Sequence, residues 1–270
     1  MNLKVLRSTL KKNLLMKYRA YPKDFFIGNV LTGFYTALGA YMMYQLMFAK
    51  KLSPSFAQFT GTSDYMSYVI VGSLTYLFVV RTCLNVSRSL ITELREGTLE
   101  SLMLAPFRRV EYFLGNMLVQ TVTTTVEILI SLLVAIPFGI NFSHFNLTGF
   151  VGAAIISLYA YFGVSMILGV IMLYTRDTYI SQNTLFAFLF LVCGITFPPQ
   201  YLPGWLRMIG GLIPITQSVT LIRNSTLLDK GFLEQLPLLF RTFLLSSVYI
   251  LSGFLLMKRC EETALEKIHG

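Results

Sequence analysis

The sequence predicts an all-α polytopic membrane protein. It should hold six transmembrane helices, an N-terminal amphipathic interfacial helix, and outer re-entrant half-helices between helices 5 and 6. Three observations carry this. Hydrophobic residues make up 54% of the 270 residues, charged residues only 13%, and mean hydropathy is +0.63; soluble domains carry about 25% charged residues. Long apolar runs recur, most near the ~20 residues that cross a bilayer. The charges cluster between these runs.

Residues 1–24 carry Lys4, Arg7, Lys11, Lys12, Lys17, Arg19 and Lys23, with Leu3, Leu6, Leu10, Leu14 and Tyr18 three or four apart. This spacing predicts a basic amphipathic helix in the headgroup plane; a pure topology signal explains the charge equally well. A six-span domain over 25–258 follows. Phe25 to Met47 is the first run, too long for a signal-peptide core and without a clear cleavage site after it, so it is read as retained. Residues 48–64 read as a loop. Tyr65 to Thr92 is the second run, Glu111 to Phe138 the third, Leu147 to Tyr174 the fourth and Tyr179 to Phe197 the fifth. Pro237 to Met257 is the sixth, and residues 259–270 form a polar tail.

Two stretches break the pattern. Residues 93–107 are the longest charged interruption in the first half of the chain. Gly97 can end a helix in the left-handed conformation. Thr98 can cap a new helix, Glu100 sits in its first turn, and Pro106 stops it. A helix over 98–105 would be about 12 Å long, too short to span. Leu99, Leu102 and Met103 share one face, suited to the membrane surface or to a partner's groove. The second stretch covers 198–223, where Pro198, Pro199, Pro203, Pro214 and the Gly210-Gly211 pair break the apolar sequence. It reads as two half-helices that must pack on protein.

Basic residues set the orientation. With the amino terminus inside, fifteen lie in inner segments and six (Lys50, Lys51, Arg207, Arg223, Lys230 and Arg241) in outer ones. The excess predicts cytoplasmic termini, a cytoplasmic 93–107 stretch and an outer 198–223 segment. The basic residues form no aromatic-interleaved patch, so the net charge of +9 points to lipid headgroups rather than nucleic acid. Cys83 and Cys193 fall inside apolar runs, so no disulfide framework is implied. His144 and His269 stand far apart, so no metal site is expected. No G-x-x-x-x-G-K-[ST], G-x-S-x-G or H-E-x-x-H occurs, so no catalytic apparatus is visible.

Arg81 and Glu127 are the intramembrane charges. Each must face protein or water. A salt bridge between them is one reading; a polar path that includes Thr124 is the other. Gly149, Ala153 and Ser157, and likewise Ser165 and Gly169, repeat every fourth residue and predict close helix contacts. Tyr201 and Trp205 fit an interfacial aromatic belt.

The pattern Glu93-x-x-x-Gly97-Thr98-Leu99-Glu100-x-Leu102-x-x-x-Pro106 resembles the cytoplasmic signature of permease subunits of ABC type 2 exporters. Phe197-Pro198-x-x-Tyr201-Leu202-Pro203-x-Trp205-Leu206, then Ile213-Pro214-Ile215-Thr216 and Arg223, resembles their last extracellular segment. One departure is Ile213, where Asn is expected before the proline. The resemblance implies a permease that packs against a second, identical or similar permease in the cell membrane. Separate ATP-binding cassette subunits would bind ATP and Mg; this chain would bind no cofactor. Glu93, Glu96, Gly97, Thr98, Leu99, Glu100, Leu102 and Pro106 would couple it to the ATPase. Pro198, Pro199, Tyr201, Pro203, Trp205 and Pro214 would form an outer gate. The cargo would be a drug, a peptide or a lipid-linked glycan. Two other classes stay open: an ion-coupled secondary transporter, for which Glu127 is one candidate acid, and a membrane scaffold or immunity protein.

Overall fold

The computed structural model describes residues 22–47, 54–95, 97, 109–175 and 179–269. The amphipathic helix expected at the amino terminus lies outside them up to residue 21. So does the short helix expected over 98–105. Every regular element among the described residues is helical. In chain order these are α1 (Pro22–Met42), which runs into a π-turn at Met43–Met47, α2 (Pro54–Thr60), α3 (Tyr65–Arg95), α4 (Arg109–Ala135), α5 (Leu147–Thr175), α6 (Tyr179–Val192), α7 (Gly204–Leu212), α8 (Pro214–Leu227) and α9 (Leu236–His269).

Among the described residues, four helices are long and apolar enough to cross a membrane: Tyr65–Arg88, Tyr112–Phe138, Leu147–Met172 and Leu236–Met257. A fifth is added if α7 and α8, bent by 86° at their junction, count as one span. The 21-residue α1 is not among these four; it carries Lys23, Asp24 and Asn29 in its first half. The fifth apolar run is helical for only 14 residues, because the chain turns at Cys193 and Gly194 takes φ +71°. One further expectation is corrected: the supposed loop 48–64 contains α2, which starts at Pro54, where a missing N–H costs nothing. Within the polar tail, α9 continues as helix to His269.

Local chemistry explains the boundaries. Asp64 caps α3, accepting from the Ser67 N–H and the Ser67 hydroxyl. Asn146 caps α5 by accepting from Gly149 N–H at 3.1 Å. Helix α4 ends in a 3-10 turn, Ile136–Phe138, closed by Gly139 in the left-handed region.

Helix α5 is apolar all round, and such a helix belongs in the middle. It packs against α9, α3 and α8. Small residues permit this. A Cβ on Gly163 would lie 3.0 Å from the Ser246 carbonyl, and one on Gly253 2.7 Å from Met166 Cβ. A Cβ on Gly149 would overlap the Lys230 carbonyl. Ala153 and Ser157 are buried, Gly169 faces Ser87, and Ser87 donates to the Ser165 carbonyl at 3.0 Å. The four-residue repeat is therefore a helix-packing device. Val79, Cys83, Tyr161, Leu168, Phe186 and Ile215 fill the core beside it.

Gly149→Val should lower stability by about 1–3 kcal/mol through overpacking. Gly39, with open space at its Cβ position, should accept Ala with no loss. Thermal unfolding in detergent compares the two; equal effects would refute the close-contact reading.

Candidate functional site

The proline-broken segment is built around its missing N–H groups. Pro199 opens a 3-10 turn, Pro199–Tyr201, and Pro214 opens α8, first positions where no donor is needed. Pro198 and Pro203 precede the 3-10 turn and α7 in extended backbone. Gly210-Gly211 does not break α7, contrary to expectation. A Cβ on Gly210 would lie 2.9 Å from the Val192 carbonyl, so glycine here permits a close crossing with the end of α6. The break falls at Ile213, ahead of Pro214.

The carbonyls freed at this break are satisfied within the chain. Ile213 N–H donates to Gly210 at 3.1 Å, the Gln217 amide to Gly211 at 3.2 Å, and the Tyr249 hydroxyl to Leu212 at 3.2 Å. The opposite face of α7 is bare: Trp205, Met208, Ile209 and Leu212 are exposed at i, i+3, i+4 and i+7. Tyr201, also exposed, meets Phe59 of α2 edge to face, ring centres 5.6 Å apart.

Arg223, one of the six basic residues assigned to outer segments, lies on α8. It is buried at 7% exposure. Its guanidinium donates to the carbonyls of Tyr68, Gly194 and Ile195 over 2.5–3.2 Å, and stands 3.5 Å over the Tyr68 ring. Among the described residues no carboxylate pairs with it. Gly72, one turn along α3, leaves the room; a Cβ there would overlap the guanidinium. Sequence reasoning missed this cluster. Its trace was Arg223 itself, which closes the segment that carries the family resemblance; the carbonyls that receive it carry no sequence mark.

Arg81 on α3 and Glu127 on α4 do meet, at 3.0 Å. Glu127 is buried, whereas the Arg81 side chain is 47% exposed. Thr124 is fully buried and accepts from the Gln120 amide at 2.8 Å. Of the three candidate path residues, only Arg81 reaches the surface of this chain. At the far end of α3, Gly97 has φ +71°, the left-handed stop expected there. Glu93 lies in the last turn of α3. Glu96, Thr98, Leu99, Glu100, Leu102 and Pro106 fall outside the described residues.

Several apolar helices, a broken pair and internal charge pairing define a multi-pass membrane protein. The family model of the ABC-2 type transporter matches residues 11–227. The chain belongs to that family, so it is a transmembrane permease of an ABC transporter, a transport component rather than a catalyst. No curated protein matches the chain.

Removing Glu127 leaves Arg81 without its partner. Glu127→Ala should cost roughly 1–3 kcal/mol, between the surface and fully buried cases. Thermal unfolding measures it, and the exchange Arg81→Glu with Glu127→Arg should recover part of the loss. No loss in the single variant would show the pair to be dispensable.

Proposed function

We propose that the chain is the permease subunit of an ATP-driven exporter in the cell membrane, with both termini cytoplasmic and six spans. Two such subunits, identical or paired with a similar chain, form the path. Each sits on a separate cassette subunit that binds ATP and Mg. Family membership supports the class. The observation that carries the mechanism is the course of α3. This helix has 31 residues and runs unbroken from the Asp64 cap to Arg95, about 46 Å. One end meets the proline-broken segment; the other leads into residues 98–105, the expected contact with the ATPase.

Gly97 ends α3 in a conformation that costs other residues about 1–2 kcal/mol. Glu100 adds a first-turn acid to the helix expected after it. Cassette closure moves that helix, and the bundle responds. Residues 198–214 act as the outer gate, with Tyr201 and Trp205 at the headgroup level. Arg81 and Glu127 hold α3 to α4 beside the path.

Gly97→Val or Glu100→Arg should uncouple ATP hydrolysis from export by the reconstituted complex. Normal export with both changes would rule out the docking role. Topology is checked separately. Single cysteines replacing Ser101 and Gly204 should react with an impermeant reagent from opposite sides of the membrane. Labelling of both from outside whole cells would overturn the orientation. In the same complex, Pro203→Ala with Pro214→Ala should slow export more than hydrolysis; equal slowing of both would count against a gate.

A further inference from the structure

Arg223 joins three pieces of chain that are distant in sequence. It belongs to α8. Two of its hydrogen bonds reach the Tyr68 carbonyl in the first turn of α3. The others hold Gly194 and Ile195, in the turn that leads from α6 to Pro198. The proline-broken segment, residues 198–214, lies between these attachments: the 193–195 turn bounds it on one side and α8 on the other. Both boundaries are therefore tied to one place on α3.

Helix α3 contains no proline, and its one glycine, Gly72, serves the guanidinium. Its other end stops at Arg95, two residues before Gly97. Four directed bonds over three carbonyls need a planar fork of donors. A lysine ammonium, a single nitrogen, cannot reproduce them.

We propose that Arg223 is a positioning residue that transmits nucleotide-driven movement. It fastens the proline-broken segment to α3, so displacement of the Gly97 end is delivered to residues 198–214. This rests on the ATP-driven permease reading above.

The test uses the full complex with its cassette subunits in membranes. Gly204→Cys, placed where a side chain meets open space, serves as reporter in a Cys260→Ser background; Cys83 and Cys193 are buried. Its rate of reaction with an impermeant maleimide is read with and without ATP plus vanadate. In the parent, nucleotide should change that rate about fivefold or more, the span of ordinary coupling energies. Arg223→Lys keeps the charge, and Gly72→Ala leaves Arg223 in the sequence while its Cβ crowds both the guanidinium and the Ile195 carbonyl that it holds. In both, the ratio should fall to about one while ATP hydrolysis persists. A parent-like ratio in Arg223→Lys would overturn the proposal. Loss of hydrolysis along with the ratio in both variants would reduce Arg223 to a structural residue and overturn it too. A parent without any nucleotide effect would defeat the ATP-driven movement proposed above, on which this inference rests.

Discussion

Inside an apolar solvent, a backbone carbonyl without a donor costs several kcal/mol. The rest of this structure depends on meeting that demand at three places where helices stop. At Phe138 the chain solves it locally, with a 3-10 turn and Gly139 donating back to Ile136. At Ile213 it borrows the Gln217 amide and the Tyr249 hydroxyl. After Val192 it uses the Arg223 guanidinium. The second and third solutions need donors held in place by other elements. Those two breaks can exist only because the surrounding bundle is already ordered.

That order comes from α5. It packs against α9, α3 and α8, leaving Leu147, Val151 and Ile155 exposed, and glycine, alanine and serine let neighbouring backbones approach it. Lipid tails are as apolar as leucine, so close packing rather than hydrophobic expulsion holds such helices together. The cluster around Tyr161 extends this contact to α3, α6 and α8. Rigid packing on one side and a bare apolar face on α7 on the other give the Tyr65 end of the bundle an uneven character. The proline-broken segment is fastened at both boundaries, yet its outer surface makes few contacts with its own chain.

Much of this was legible in the sequence. Span limits at Tyr65, Phe138 and Leu147 followed from hydropathy and from capping or stop residues beside them. The four-residue repeat of small residues on α5 announced its contacts, and Gly97 announced a left-handed stop. What stayed hidden depends on distances across the fold. Gly210-Gly211 looked like a breaker because glycine weakens isolated helices; here the crossing with Val192 explains it. Gly194 ended α6 five residues early without a proline to signal it. The partners of Arg223 stayed hidden because they are carbonyls, which every residue has and no sequence pattern marks. Helix α2 was missed because seven residues rich in Ser, Thr and Gln carry little hydropathy signal.

The clamp at Arg223 also bears on how the chain is made. A guanidinium acceptable in the apolar interior only beside these carbonyls cannot settle there ahead of them. Its partners precede it by 155, 29 and 28 residues. They therefore leave the ribosome first, and the receiving site can be assembled in the bilayer before the charge arrives. Synthesis in the reverse order would strand a cation in hydrocarbon while its acceptors were still unmade. The direction of translation and the direction in which this membrane domain can be assembled are thus the same.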